Sequence, residues 1–315
     1  MMRNLLITLF LLTMVSICLG ADDRRAIQLV VPTAPGGGTD IVARIIADDV
    51  TKKGVEVVVF NKPGAERSIA GNYVATAPAD GYTLFLGGLS DAVMLPLFRY
   101  PNLKFDRDLA PISFLASQPE MISVAPNFPA NNLQELLALI KADPKKYSIG
   151  SFGKSSTLHA YILYDSIGVN PNIVSYKGDT QMLTDIIGGS PLIGLNSIAG
   201  SRELAMAGKI KYIATTADQR LKDFPTVGTV QESKIVLGQF WHGVYAPAGT
   251  DPAVVKRLHE IFNRSVQDPM VKAKLSQIGY KVMPMSQKQF AKFYQSEFDH
   301  YEPMVDRVLQ ETSDK

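Results

Sequence analysis

The sequence predicts an α/β protein of two lobes, each a mostly parallel sheet flanked by helices. From residue 26 onward, short β-branched runs alternate with amphipathic segments, the pattern of parallel strands covered by helices. A chain of 315 residues, 46% of them hydrophobic, is long enough for two cores. The Pro-bounded segments 118–126 and 239–247 are predicted to cross between the lobes. Two crossover strands of this kind form a hinge beside a cleft.

The element boundaries follow from hydrophobic periodicity. Residues 21–121 and 240–315 are assigned to lobe 1, and residues 122–239 to lobe 2. The predicted strands are 27–32, 55–61, 83–87, 122–125, 148–151, 173–176, 192–196, 210–216 and 243–246. Two helices carry an apolar stripe at helical spacing, formed by Ile41, Val42, Ile45, Ile46 and Val50 in the first and by Leu133, Leu136, Leu137 and Ile140 in the second. We assign both stripes to the core.

The first twenty residues have the features of a secretory signal peptide. Arg3 precedes an apolar stretch, and Cys18 and Gly20 place small residues at −3 and −1 of a cleavage site after Gly20. A membrane anchor or a lipoprotein site at Cys18 are the alternatives. Cys18 is the only cysteine, so cleavage leaves no disulfide, thiol nucleophile or cysteine metal site. We expect a periplasmic protein.

Charge argues against a nucleic-acid partner. Lysine and arginine total 32, aspartate and glutamate total 30, and the basic residues are dispersed rather than gathered into a stripe. No cofactor is expected, and the protein is expected to be a monomer.

A glycine-rich loop, residues 35–40, lies between the first strand and the first helix. At a helix start the unpaired backbone N–H groups and the helix dipole favour an anion. The glycines let a carboxylate approach the backbone, so the candidate ligand-binding residues are Gly37, Gly38, Thr39 and Asp40. The alternative is a plain turn in which Thr39 or Asp40 caps the helix. A dinucleotide site would need a further glycine, which is absent.

A second loop of this kind, residues 150–157, also joins a strand to a helix. It ends in Gly-Lys-Ser, but Ser148 stands where a phosphate loop requires glycine. We interpret the loop as a set of hydroxyl and amide donors to an anion. The candidates are Ser151, Gly153, Ser155 and Ser156, and the alternative is a capped helix start with solvent-facing serines.

Catalytic motifs are weak. There is no Gly-x-Ser-x-Gly elbow, and the four histidines are far apart and show no metal-ligand spacing. The second hypothesis is an exported hydrolase that uses His159 with a nearby serine, and the third is an interaction protein with no enclosed pocket. Trp241, the only tryptophan, lies in the presumed return strand, where it is either core or a wall of the pocket.

Five segments in order give the chain a family resemblance. They are residues 31–40, 61–65, 78–84, 175–178 and 246–250, with the sequences VPTAPGGGTD, NKPGA, PADGYTL, SYKG and APAGT. Over nearly all of the mature chain it resembles the Bug-type, TctC-like receptors of tripartite tricarboxylate transporters. The resemblance implies a type II periplasmic-binding-protein fold without enzymatic activity, which passes carboxylates to a membrane permease.

The resemblance also implies site residues. Family receptors usually hold one ligand carboxylate through the two loops and ordered waters. The resemblance adds further candidate ligand-binding residues. They are His159 in the second loop region, Tyr176, Lys177 and Gly178 in the Tyr-Lys-Gly segment, and Ser90 after the third strand.

Two departures from the family pattern bear on the ligand. Glu66 and Arg67 replace two glycines, so that Arg67 is available for a distal carboxylate or for Glu66. Asn196 stands where an acidic residue is common. Whether the ligand is a dicarboxylate, a tricarboxylate, an amino acid or an aromatic acid is left open.

Overall fold

The computed structural model describes residues 25–100, 104–190 and 192–313. The predicted signal peptide, residues 1–20, and its cleavage site lie outside this range. No helix in the described part of the chain combines the length and the apolar character needed to cross a bilayer.

The first sheet has five strands in the order β2-β1-β3-β11-β4. They are β1 (Ile27–Val31), β2 (Val57–Asn61), β3 (Thr83–Gly88), β4 (Leu109–Gln118) and β11 (Phe240–Pro247). The second sheet has six strands in the order β10-β9-β5-β8-β6-β7. They are β5 (Glu120–Val124), β6 (Ser148–Ser151), β7 (Ile173–Ser175), β8 (Leu192–Ser197), β9 (Lys211–Thr215) and β10 (Gly228–Thr229).

One strand in each sheet runs against the others. In the first sheet β11 pairs antiparallel with β3 and β4, and in the second β5 pairs antiparallel with β8 and β9. All other pairings are parallel. Both antiparallel strands directly follow a crossing between the lobes. Parallel strands are joined by a helical connection, whereas these two strands enter their sheet straight from the other lobe. The predicted architecture of two mostly parallel sheets flanked by helices is confirmed.

The first crossing lies at Pro119. Strand β4 ends at Gln118 and β5 begins at Glu120. Proline has no N–H to donate to a ladder, so it suits the point where one sheet ends and the next begins. Glu120 and Met121 therefore belong to the second sheet. The second sheet begins two residues earlier than the lobe boundary predicted after residue 121.

Within the described residues, nine longer helices cover the sheets. They are α1 (Gly38–Lys52), α2 (Ser68–Ala75), α3 (Leu133–Ala142), α4 (Gly153–Asp165), α5 (Asp179–Ile187), α6 (Ile198–Met206), α7 (Pro252–Gln267), α8 (Pro269–Gln277) and α9 (Gln287–Ser313). The cap predicted before α3 is present, because the Asn132 side chain accepts a hydrogen bond from the Glu135 N–H.

The apolar stripes enter the cores as predicted, with one exception. Val42, Ile46 and Val50 of α1 pack in a cluster with strands of the first sheet, and Leu133, Leu136 and Ile140 pack in the second lobe. Ile41 is instead 38% exposed and lies on the wall of the interlobe cavity. The first turn of α1 thus projects beyond the sheet edge into the cleft.

Candidate ligand-binding cleft

A cavity of about 460 Å³ lies between the two lobes. Lobe 1 contributes the loop before α1, Arg67, the turn after β3, and residues of the two crossing strands. Lobe 2 contributes the starts of α5 and α6. A second cavity, about 520 Å³, lies between α4 and α9 and is lined mainly by apolar side chains. The interlobe cavity is lined by the starts of three helices and by the buried polar residues Thr39, Asp91 and Gln118, so it is the candidate site.

Three helices begin at this cavity. Gly37, Gly38 and Thr39 start α1, Gly178 and Asp179 start α5, and the N-cap residue Ser197 precedes α6; all of them are wall residues. The positive ends of three helix dipoles therefore face a shared space; no side-chain cap bond is formed at α1 or α5, whereas at α6 Ser197 Oγ accepts from Gly200 N. This arrangement favours an anionic ligand group.

The glycine-rich loop is shaped for close backbone approach. Gly36 has φ of +85°, a left-handed conformation that favours glycine. A Cβ on Gly37 would lie 3.3 Å from Thr33 Oγ1. A Cβ on Gly38 would lie 3.5 Å from Tyr280 Oη, an ordinary contact, so that position has room for a side chain.

Asp40 supports this loop and is not on the cavity wall. It is buried, and its carboxylate accepts hydrogen bonds of 2.8 Å from Gly36 N, Arg44 Nε and Asn61 Nδ2. Burial opposes ionisation, but the hydrogen bonds from Arg44, Gly36 and Asn61 outweigh it and hold the Asp40 pKa below its usual value. These contacts give Asp40 a structural role in holding the loop, but it does not cap α1 as the alternative interpretation had it, because the N-cap residue is Gly37.

The serine loop residues also lie off the wall. Ser151, Ser155 and Ser156 are buried, and Gly153 adopts φ of +72°. Ser151 Oγ lies 3.1 Å from Thr157 Oγ1, and Ser156 Oγ accepts from Phe152 N and donates to Leu195 O, both at 3.4 Å. Phe152 lines the cavity in their place. Ligand contact by these four residues therefore remains a prediction that the cavity walls do not support.

Ser90 explains the position of the serine loop. Ser90 is on the wall, and its Oγ is hydrogen bonded to Ser155 Oγ from the opposite lobe. The first turn of α4 thus packs against lobe 1, which takes its hydroxyl groups out of the open cavity.

His159 is part of a buried pair. Its Nδ1 is 2.8 Å from Glu120 Oε2, and both side chains are fully buried. His159 is not a wall residue, and no serine is among its hydrogen-bond partners in the described chain. The geometry that the hydrolase hypothesis needs, a serine activated by this histidine, is not formed.

Tyr176 and Asn196 pack within lobe 2 rather than on the wall. Tyr176 Oη donates to Asp185 Oδ2 at 2.7 Å. Asn196 is buried, accepts from Ser123 Oγ and donates to Ser197 O at 3.3 Å. Gly178, from the same predicted set, does line the cavity.

Arg67 reaches the cavity from a strained turn. Ala65, Glu66 and Arg67 all have positive φ, at 42°, 51° and 79°. Each such residue costs on the order of 1 kcal/mol, and such strain tends to occur at functional sites. Arg67 Nη1 lies 3.3 Å from Asp91 Oδ1, a buried carboxylate. Burial raises the pKa of Asp91, although Arg67 opposes the shift.

Trp241 is both core and wall. It lines the cavity, yet only 2% of its surface is exposed, and its Nε1 donates to Glu297 Oε2 at 2.8 Å. The ring packs among Phe114, Phe290 and Phe293. Trp241 thus belongs to the core and also borders the cavity, and its contact with a ligand stays a prediction.

A polar chain on the cavity floor was not predicted from the sequence. Gln118 Nε2 donates to Tyr280 Oη at 2.9 Å, and Tyr280 Oη lies 3.0 Å from His242 Nε2. Burial lowers the His242 pKa to about 3, which keeps the ring neutral. All three residues line the cavity, and Gln118 Oε1 has no protein partner among the described residues.

Comparison with known protein families identifies the family of this chain. A model of the tripartite tricarboxylate transporter family receptor matches residues 42–309. The chain belongs to this receptor family. The resemblance drawn from the sequence motifs is confirmed.

Relatives of the receptor cover almost its whole length. It is 32% identical over 290 residues to a UPF0065 protein of Bordetella pertussis, with 90% of each chain aligned. The structure of the periplasmic binding protein BugD is similar, with a TM-score of 0.78, 28% identity, and coverage of 90% of this chain and 97% of that chain. The structure of MatC (Rpa3494) from Rhodopseudomonas palustris with bound malate is also similar. Its TM-score is 0.78 and its sequence identity is 26%, with coverage of 89% of this chain and 99% of that chain. These similarities confirm the two-lobed periplasmic-binding fold.

The receptor has a charged contact across its cleft. Lys154 Nζ of lobe 2 lies 3.2 Å from Glu66 Oε2 of lobe 1, and it sits over the rings of Phe98 and Tyr100. Burial and the bond to Glu66 raise the Tyr100 pKa to about 12. Glu66, one of the two departures from the family pattern, thus contacts the opposite lobe, whereas Arg67 faces the cavity.

Removing this contact is expected to weaken binding modestly. Lys154→Met removes an ion pair that favours the arrangement in which the lobes touch, and partly exposed pairs contribute about 0.2–1 kcal/mol. We expect calorimetry to show affinity lowered about two- to fivefold. The control Lys146→Met removes an exposed lysine of the same lobe, stacked only on Tyr147. Equal effects in both variants would count against a cross-cleft role.

No metal site accompanies the cleft in the part of the chain that is described. Within residues 25–100, 104–190 and 192–313, no three His, Cys, Asp or Glu side chains form a group suited to a metal ion.

Proposed function

We propose that this receptor captures a small organic carboxylate in the interlobe cavity and delivers it to a tripartite-type membrane permease. The observation that carries the proposal is the convergence of three helix starts on one cavity between two lobes. The solved relative MatC, described with bound malate, supports a carboxylate as the ligand.

The ligand carboxylate is placed at the start of α1. Gly38 is exposed there, and the neighbouring N–H groups are not used by the helix. A helix dipole contributes about 0.3–1 kcal/mol, rising to about 2 kcal/mol when partly buried. Each hydrogen bond to a charged group adds about 1.5–3 kcal/mol. A few such contacts suffice for micromolar affinity, which corresponds to about −8 kcal/mol.

Closure of the lobes distinguishes the ligand-bound receptor from the ligand-free receptor. The ligand touches wall residues of both lobes, so it stabilises the arrangement in which both reach it. The crossing strands β4 and β11 pair along their length and provide the hinge. We propose that the closed form docks on the permease, and that the chain acts as a monomer in the periplasm after residues 1–20 are removed.

A thermal-shift series tests the binding function. Purified receptor is heated with aliphatic and aromatic carboxylates, including malate, citrate, adipate and benzoate, each beside its uncharged amide. A ligand at one hundred times its Kd stabilises the native state by about 2.7 kcal/mol. We expect the melting temperature to rise with concentration for one class of acid and not for its amide. Equal shifts with acid and amide, or no shift with any acid, would contradict the proposal.

A further inference from the structure

Asp179 places a carboxylate on the wall of a cavity that is otherwise suited to anions. It is the first residue of α5, it is partly buried, and it lines the cavity. Its Oδ1 and Oδ2 accept from Ser197 N at 3.3 and 3.4 Å, and Oδ2 also accepts from Ser197 Oγ. Among the described residues no lysine, arginine or histidine forms an ion pair with it.

This carboxylate already occupies the start of α6. Ser197 is the N-cap of that helix, and its N–H points to Asp179. A Cβ on Gly200 would lie 2.9 Å from Asp179 Oδ2, so the glycine leaves room for the acid. The α6 start therefore presents a protein carboxylate to the cavity, whereas the α1 start remains available to a ligand carboxylate.

Among the described residues Asp179 forms no close ion pair, although the charge of Arg67 favours its ionised form. Arg67 is on the same cavity wall, but its paired acid is Asp91. Burial raises the Asp179 pKa to about 7, although hydrogen bonds from Ser197 and the charge of Arg67 oppose the shift. An ionised carboxylate held this way is stabilised by a positive ligand group.

The start of α1, Tyr280 and Asp179 line the same cavity. Tyr280 Oη lies within ordinary contact distance of a Cβ built on Gly38. Burial and the Asp179 charge both raise the Tyr280 pKa. Since Gly38 and Asp179 line the same cavity, one molecule bound there can contact both the start of α1 and Asp179.

We propose that the ligand is an amino-acid-type zwitterion, with its carboxylate at the start of α1 and its ammonium group bound to Asp179. The proposal rests on the proposed carboxylate-binding function and narrows its ligand class. Asp179 is a specificity-determining residue that favours amino acids over plain carboxylates of the same length.

Matched ligand pairs test this assignment. Calorimetry compares L-aspartate with succinate, L-glutamate with glutarate, and L-alanine with propionate, since each pair differs by one amino group. We expect the wild-type receptor to bind at least one amino acid about tenfold tighter than its partner. Asp179→Asn is expected to remove this preference. The control Asp185→Asn, an exposed acid on the same helix, is expected to keep it.

Proton linkage supplies a second measurement on the wild-type protein, which holds even if Asp179→Asn fails to fold. An ammonium group favours ionised Asp179, so binding near pH 7 is expected to release protons into the buffer. The other charged groups near Asp179 are Arg67, Lys177 and Glu120, and the tyrosines are Tyr212 and Tyr280. Calorimetry in buffers of different ionisation enthalpy gives the sign.

The outcomes separate this inference from the proposed function. If the plain acids bind as tightly as the amino acids and take up protons, Asp179 acts as a protonated donor to a carboxylate and the zwitterion assignment is overturned, while carboxylate binding stands. If neither class binds to folded protein, the proposed function itself fails.

Discussion

Gly38→Asp is expected to weaken carboxylate binding at least about 100-fold while the receptor stays folded. Position 38 is exposed, has no positive φ, and has space for a Cβ. An acid in the first turn of a helix is favourable for the fold. Inside the cavity, however, its charge takes the place of the ligand carboxylate. Two like charges about 4 Å apart repel by about 4 kcal/mol at an effective dielectric constant of about 20.

The neutral variant Gly38→Asn separates charge from bulk. Its side chain has nearly the same size, so it carries the steric part of the change alone. Calorimetry with the acid that stabilises the wild-type protein most strongly is expected to show the Asp variant binding about 100-fold weaker than the Asn variant or worse. If both variants bind alike, with melting temperatures near that of the wild type, the carboxylate does not sit at the start of α1.

Asp40→Ala is expected to lower the free energy of unfolding of the ligand-free receptor by about 3 kcal/mol. The substitution leaves Gly36 N and Asn61 Nδ2 without the carboxylate that accepts from both, and it removes the partner of Arg44. Each hydrogen bond to a charged group contributes about 1.5–3 kcal/mol, whereas the Arg44 side chain left behind is half exposed and adds little. For a chain of this size, the melting temperature should fall by roughly 5–10 °C.

Asp48→Ala is the matched control for that effect. Asp48 is on the same helix and pairs with Lys52 at the surface. Its loss should cost about 0.5 kcal/mol or less. An unchanged melting temperature in Asp40→Ala, together with lost binding, would instead make Asp40 a direct ligand contact, which was the interpretation first drawn from the sequence.

Local sequence patterns predicted the elements that depend on local physics. The glycines before α1, the Asn132 cap and the stripe of Val42, Ile46 and Val50 follow from backbone freedom, capping and periodicity. The long strand β4 was missed because Pro111 lies inside it, and proline within a run argues against a central strand. β4 is an edge strand of its sheet, where proline is tolerated.

Which residues line the cavity depends on contacts between distant parts of the chain, and no local sequence pattern contains these contacts. Tyr280 follows α8, yet it faces the loop before α1. Asp179 directly follows the Tyr-Lys-Gly segment, so an acid next to a predicted site segment was the available signal. Ser155 was placed in the site because its loop resembles an anion site, but its bond to Ser90 across the lobes turns it away.

The structure of the receptor crystallised with its tightest acid ligand tests the central claim most directly. We predict one ligand carboxylate within hydrogen-bond distance of the backbone N–H groups at Gly38 and Thr39, in contact with residues of both lobes. A ligand that leaves this helix start empty, or that binds between α4 and α9 instead, would contradict the proposal that the interlobe cleft is the receptor's carboxylate site.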